Sequence, residues 1–319
     1  MNIQLQPVDS FKIPIDLLSK TVLHTNLGAP TEIEQEKSYW DENGNRQFCT
    51  EKFLQCNEDS TKCQKLTESK KRSIYSEVTI VNWNNCAVII LEFDFAVLDA
   101  CITEKLHGNE YTTPNIIFHR LGGGKNLTPK MRKAILDSVE KLSKVRITLN
   151  WDDAVKKNIV KDEQKRSTFK GYLLPTESVT LQINGKTIDA IHLLPGGAII
   201  NNANIRNQFV TCDTKLLQPP VKTTTQTIAI NHFFLRRINE IKGSHDKKYA
   251  KRVRQLHKTI TFEDMYEKIG LDNGTRKQKW DARKTAFKIL DFLVSENILK
   301  KYTVKESEES EILAVSIDF

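Results

Sequence analysis

The 319-residue chain carries 48 Lys and Arg against 40 Asp and Glu, a formal charge of +8 with a pI near 9.0, and 39% of its residues are hydrophobic. Such a chain is long enough for two cores, is not low-complexity, and its cation surplus favours a polyanionic partner. No apolar run approaches the length of a bilayer span, and Met1–Ser19 lacks the basic start and apolar centre of an export signal, so a cytoplasmic protein with no membrane partner is expected. Six cysteines are then expected to be reduced. Cys49, Cys56 and Cys63 recur every seven residues, without the closer pairing or the neighbouring histidine of a zinc site.

In chain order, Phe11–Leu27 is apolar and predicts a strand followed by a short helix. A polar stretch from Ala29 to Ser73 predicts irregular or hairpin structure. β-Branched runs at Ile74–Ile80 and Ala87–Leu91 predict strands. Residues 1–80 are read as an amino-terminal extension, irregular or β-rich.

A helix is expected from about Asp94, through Phe95, Val97, Leu98, Cys101, Ile102 and Leu106, to Gly108. Thr112-Thr113-Pro114 opens a second, because proline suits the first helical turn, and Gly122-Gly123-Gly124 closes it. Thr128-Pro129 opens a third, with Met131, Ala134, Ile135, Val139 and Leu142 inward and Lys130, Arg132, Lys133, Lys141 and Lys144 outward. A strand over Val145–Trp151, a charged excursion over Asp152–Lys170 and two strands flanking Asn184-Gly185 follow. Asn-Gly between alternating apolar residues signals a hairpin, since both turn positions need positive φ.

The order then recurs. After Pro219-Pro220, a helix from Thr225 or Thr227 carries Ile228, Ile230, Phe233, Phe234, Leu235, Ile238 and Ile241. A basic connector, Lys247–Lys258, leads to a short helix capped by Thr261 and ended at Gly270. Thr275 opens a long helix whose first half carries Arg276, Lys277, Lys279, Arg283, Lys284 and Lys288, and whose second half is apolar. Strands at Lys300–Val304 and Ile312–Phe319 close the chain. Between Lys242 and Lys301 stand 16 Lys and Arg against 8 Asp and Glu, a surplus equal to that of the whole chain. Such a cluster can neutralise phosphates. Helix, turn, basic helix and hairpin, twice over, predict an α+β chain of two tandem winged-helix domains, residues 81–218 and 219–319. In that fold the second helix of the turn enters the major groove.

The segments FDFAVLDACITEKLHGNEYTTPNIIFHRLGGGKNLTPKMRKAILDSVEKLSKVRITLN and YLLPTESVTLQINGKTIDAIHLL, with Ile228–Phe319, resemble the replication initiators of plasmids and related mobile elements. The resemblance covers about Ile89 to Phe319 and rests on element order. It implies a protein that binds repeated sites in double-stranded origin DNA, helps open the duplex, recruits host replication proteins and has a homodimer among its states. It places Arg276, Lys277, Lys279, Arg283, Lys284 and Lys288 in one major groove, and Lys130, Arg132 and Lys133 in a neighbouring segment. Glu306, Glu308, Glu309 and Glu311 depart from this pattern, since a carboxylate cluster is a poor phosphate contact; that wing points away from DNA or meets a protein. The alternative is a winged-helix transcription regulator with no role in replication, and a third reading is an accessory protein with an acidic partner.

Catalytic readings are weaker. No two of His24, His107, His119, His192, His232, His245 and His257 flank a single residue, as the metal-binding pair of a nicking initiator would. Gly122-Gly123-Gly124-Lys125 lacks the following Ser or Thr of a phosphate loop. Glu92-Phe93-Asp94 follows an apolar strand, no second acidic pair with a similar strand context stands out to hold magnesium with it, and Asp94 is expected to cap a helix. No enzyme activity, cofactor or metal is expected.

Overall fold

The computed structural model describes residues 10–14, 31–40, 46–55, 64–65, 68–69, 74–80, 90–150, 168–183, 186–195, 209–245, 256–306 and 312–319. In order these form strands β1 (Ser10–Pro14), β2 (Thr31–Trp40), β3 (Arg46–Gln55), β4 (Gln64–Lys65), β5 (Glu68–Ser69) and β6 (Ile74–Ile80). Helix α1 (Glu92–Leu106), β7 (Tyr111–Thr112), α2 (Pro114–Arg120) and α3 (Pro129–Lys144) come next. Then follow β8 (Val145–Asn150), β9 (Thr168–Tyr172), β10 (Thr176–Ile183), β11 (Lys186–Leu193) and β12 (Phe209–Asp213). The last part holds α4 (Thr225–His245), β13 (Thr259–Thr261), α5 (Phe262–Lys268), α6 (Arg276–Ser295), β14 (Lys301–Glu306) and β15 (Ile312–Asp318). The chain is α+β.

Two stretches share one topology. In the first, the strand β7 between α1 and α2 pairs with the returning strand β11, which pairs with β10, giving the order β10-β11-β7. In the second, β13 between α4 and α5 pairs with β15, which pairs with β14, giving β13-β15-β14. The first differs by an insertion: β8 and β9 leave it to join β5 and β6 in a separate four-stranded sheet. The strand expected to follow α3 is thus present, and the end of the charged excursion proves to be β9. The amino-terminal strand β1 lies antiparallel to β12, and β2, β3 and β4 form their own sheet.

The helix boundaries follow local chemistry. Thr113, Thr128, Thr261 and Thr275 each accept a hydrogen bond from the amide three residues on, at 3.2–3.3 Å. These bonds satisfy first-turn donors that have no partner in the helix. Both short helices end alike: Gly123 N donates to Phe118 O at 2.8 Å, and Leu271 N to Tyr266 O at 2.6 Å. The glycine before each donor, Gly122 at φ 79° and Gly270 at φ 75°, takes the left-handed conformation this ending needs. Gly122 also lies against the backbone of Leu217, where a Cβ would come within 1.8 Å of the carbonyl oxygen. The glycine run is therefore a packed turn between α2 and α3.

Helices α1 and α4 are buried on nearly every side, as befits helices at the centre of a core. They pack on each other; α1 also meets α2, α3 and β1, and α4 meets α5 and α6. One hydrophobic cluster runs from Phe95, Leu98 and Ile102 through Ile135 and Leu142 to Phe234, Ile238, Leu290 and Leu293. The core is thus continuous across the join between the two stretches. No helix among the described residues is long and apolar enough to cross a membrane.

Several expectations lie outside the described residues: the helix after Pro14, Cys56 and Cys63, most of the excursion after Asn150, and the strand expected at Ala87–Leu91 as far as residue 89. Its last two residues, Ile90 and Leu91, are described and are not in a strand, Leu91 being the residue before α1. The Asn184-Gly185 turn, most of the basic connector, and Glu308, Glu309 and Glu311 lie outside them too.

Candidate nucleic-acid interface

Helix α6 opens on a reciprocal cap. Thr275 accepts from Gln278 N, and Gln278 Oε1 accepts from Thr275 N at 2.8 Å. Its first turn then holds Arg276, Lys277 and Lys279 and no acid. Helix α3 repeats this, with Lys130 and Arg132 in the first turn, Lys133 next and no acid. Aligned peptide dipoles make a helix amino terminus electropositive, so each such cation costs about 0.3–1 kcal/mol at low salt. The same chain follows the usual rule elsewhere: α1 begins with Glu92 and Asp94, and α5 with Glu263 and Asp264. Among the described residues only the two threonine-capped helices that follow a glycine turn break it, and an anion docked at their ends would reverse the penalty.

The candidate residues divide by their surroundings. Arg276, Lys277, Lys284, Lys288, Lys130 and Lys133 are exposed. Lys279 and Arg283 are half-buried and tied to carbonyls: Lys279 Nζ donates to Asp272 O at 2.7 Å, and Arg283 Nη1 to Ile312 O at 3.2 Å. Arg283 therefore braces α6 against the start of β15. Arg132 Nη2 stands 4.0 Å from Asp189 Oδ2. Further along α3, Lys144 pairs with Glu140 at 2.7 Å, and Lys141 donates to Asp94 at 2.7 Å. The cation field of α3 is thereby confined to its first turns, whereas that of α6 runs to Lys288.

Both helices border one groove of about 470 Å³, α3 through Ala134, Asp137 and Ser138 and α6 through Gln278 and Asp281. On α6, Lys277, Lys284 and Lys288 share the helical stripe of Asp281; on α3, Lys130 shares the stripe of Ala134. The two basic turns therefore flank the same concavity, with carboxylates at its walls. Asp94 anchors the α1 side, accepting from Leu91 N at 2.9 Å, Ser138 Oγ at 2.7 Å and Lys141. The helix starts two residues earlier than expected, with Leu91 at the cap position. Asp94 is therefore not the capping residue but reaches back from the third helical position to the Leu91 amide, and it also holds α3. Trp280 projects from α6 at 48% exposure, with Lys284 Nζ 3.5 Å from its ring centroid.

Behind the groove, α1 and α4 are joined by a buried charge network. His232 Nδ1 lies 2.7 Å from Glu92 Oε1, and Nε2 lies 2.7 Å from Asp99 Oδ2. Arg236 Nη1 donates to the same Glu92 oxygen at 3.1 Å, and its guanidinium sits 4.8 Å from the Phe95 ring centroid. Burial pushes the Glu92 carboxyl up, but the Arg236 guanidinium and the His232 ring outweigh it and hold the group at about 2. Asp99 has the ring without the guanidinium bond, and burial raises its carboxyl. Burial disfavours charge on His232, but the hydrogen bonds to Asp99 and Glu92 and their charges raise it overall. The ring thus faces a carboxyl group at each nitrogen, and their hydrogen bonds and charges favour its protonated form. Sequence reasoning passed over this network. Its signal was two carboxylates seven residues apart in one apolar helix, and a His and an Arg four apart in another.

No protein-family model and no curated protein matches the chain in sequence. Among solved structures, a crystal structure of domains 2 and 3 of RctB is similar at 12% identity and a TM-score of 0.43, over 95% of this chain and 96% of that one. A selenomethionine derivative of the same domains is similar at 12% identity and a TM-score of 0.37, over 76% of this chain and 90% of that one.

Proposed function

We propose that the chain is a double-stranded DNA-binding protein that docks two winged helices, through α3 and α6, on a repeated site, and acts as a replication initiator. The observation that carries the DNA-binding reading is the placement of cations. Arg276, Lys277 and Lys279 at one helix start and Lys130 and Arg132 at another oppose the local dipole, while α1 and α5 place acids there and α2 and α4 place no charge. Lys279 and Arg132 have partners within the fold, but Arg276, Lys277 and Lys130 are exposed, and a rule broken there without evident compensation marks a functional surface. The matching sheet orders support reading both stretches as winged helices, with β10–β11 and β14–β15 as the wings. The initiator role rests on the resemblance of Ile89–Phe319 to plasmid and mobile-element initiators. In this reading the protein binds and does not catalyse; host replication proteins and a second copy of the chain are further partners.

The test is fluorescence anisotropy of the full chain on labelled duplex DNA across a salt series. If Arg276, Lys277, Lys284, Lys288, Lys130 and Lys133 each reach a phosphate, affinity falls on the order of a thousandfold between about 50 and 200 mM salt. Replacing Arg276 and Lys277 by Ala reduces the salt slope by about 2. A slope near zero, or one unchanged in the double variant, overturns the reading. Recovery of bound fragments from the source DNA then distinguishes roles: directly repeated sequence beside an A+T-rich tract supports an initiator, and promoter fragments alone support the transcription regulator.

A further inference from the structure

We infer that Trp280 reads base sequence, its indole packing against a thymine C5-methyl group on the floor of the major groove. The inference rests on the DNA-binding reading above and adds a specificity residue to it. Trp280 is the fifth residue of α6 and 48% exposed. Arg276, Lys277 and Lys284, all exposed, surround it on the helix. Leu136 on α3 is exposed too and has Lys133 three residues before it, but exposed Glu140 stands one turn after it, where Lys284 stands after Trp280. An indole buries a large apolar area and is over-represented among residues that dominate interfaces, so its place amid cations suits a polyanion with an apolar feature.

Two facts select that feature. The Lys284 ammonium lies 3.5 Å from the ring centroid and caps one face of the indole. Sandwiching between unpaired bases, which uses both faces, is thereby disfavoured, while the ring edge stays available. In the groove where the first turns of a recognition helix meet base edges, the apolar group that bases present is the thymine methyl. Lys284, stacked on one face of the ring, leaves the edge free and carries its own charge toward the backbone.

The experiment starts from the duplex that the full chain recovers from a random pool, resynthesised with uracil replacing thymine one position at a time. Uracil keeps the hydrogen-bonding edge and lacks only the methyl. The expected result is a loss of about three- to fivefold at one or two positions, the worth of burying one methyl group. Trp280→Ala should bind the thymine site more weakly and no longer distinguish it from the uracil site. Lys284→Ala should weaken both sites equally and lower the salt slope by about 1. If no uracil position matters to the wild type, or Trp280→Ala discriminates as well as the wild type does, the inference is overturned while DNA binding stands. If the pool yields no common sequence and binding ignores salt, the underlying reading fails and takes the inference with it.

Discussion

Replacing Glu92 by Gln removes one charge from the network that joins α1 to α4 while keeping the side chain's shape. In the folded protein its carboxyl is held at about 2 against an ordinary 4.5, through the Arg236 guanidinium at 3.1 Å and the His232 ring at 2.7 Å. That depression is worth about 3 kcal/mol of stability at neutral pH. The contribution is fully present above pH 4.5 and is lost as pH falls toward 2. Asp99, raised by burial, has the opposite sign: its contribution is present below 3.8 and lost as pH rises through its folded value. His232 is also raised, so its share is present below 6.5 and lost as pH climbs through its folded value. Urea unfolding should therefore find Glu92→Gln about 3 kcal/mol less stable than wild type at pH 7, at an unchanged m-value. The gap should close toward zero near pH 2, and the alkaline limb should move to lower pH, since the ring has lost one carboxylate. A gap of the same size at every pH would refute the argument, because it would reflect altered packing and not charge.

Reversing Arg276 and Lys277 to Glu should raise stability by about 1–2 kcal/mol at low salt while abolishing DNA binding; a lower urea midpoint would contradict the dipole argument. Leu290, fully buried on α6, should cost about 2–5 kcal/mol when cut to Ala, and an unchanged melting temperature would remove it from the core. Gly122→Ala should destabilise by more than about 1 kcal/mol, because it combines a positive φ with a clash against the Leu217 carbonyl; wild-type stability would mean that this turn can relax.

The helix starts were legible because they rest on short-range chemistry. Thr113, Thr128, Thr261 and Thr275 each stand one residue before a helix and bond to its backbone. The repeat was more legible than element order alone suggests, since Thr113 to Gly122 and Thr261 to Gly270 have equal spacing and serve as equivalent caps. Strands β7 and β13 escaped notice because two or three residues cannot display an alternating pattern. The pairing of β1 with β12 depends on contacts across most of the chain, which no local signal encodes. At the candidate interface, composition identified the basic helix but could not tell which cations were already engaged. Lys279 and Arg283 look like Lys277 and Lys284 in sequence, yet the first two bond to carbonyls of Asp272 and Ile312. Glu92 and Asp99 were hidden for a similar reason, since their partners lie on a helix more than a hundred residues away.

The apolar core that passes unbroken from α1 to α4 has a mechanical consequence. A chain whose halves share one interior is a caliper with a set gap, and its two prongs, the first turns of α3 and α6, keep their separation. If α3 and α6 dock on a duplex as proposed, such an instrument would measure the distance between two marks as well as their identity, and half a helical turn inserted between them would put one mark out of reach.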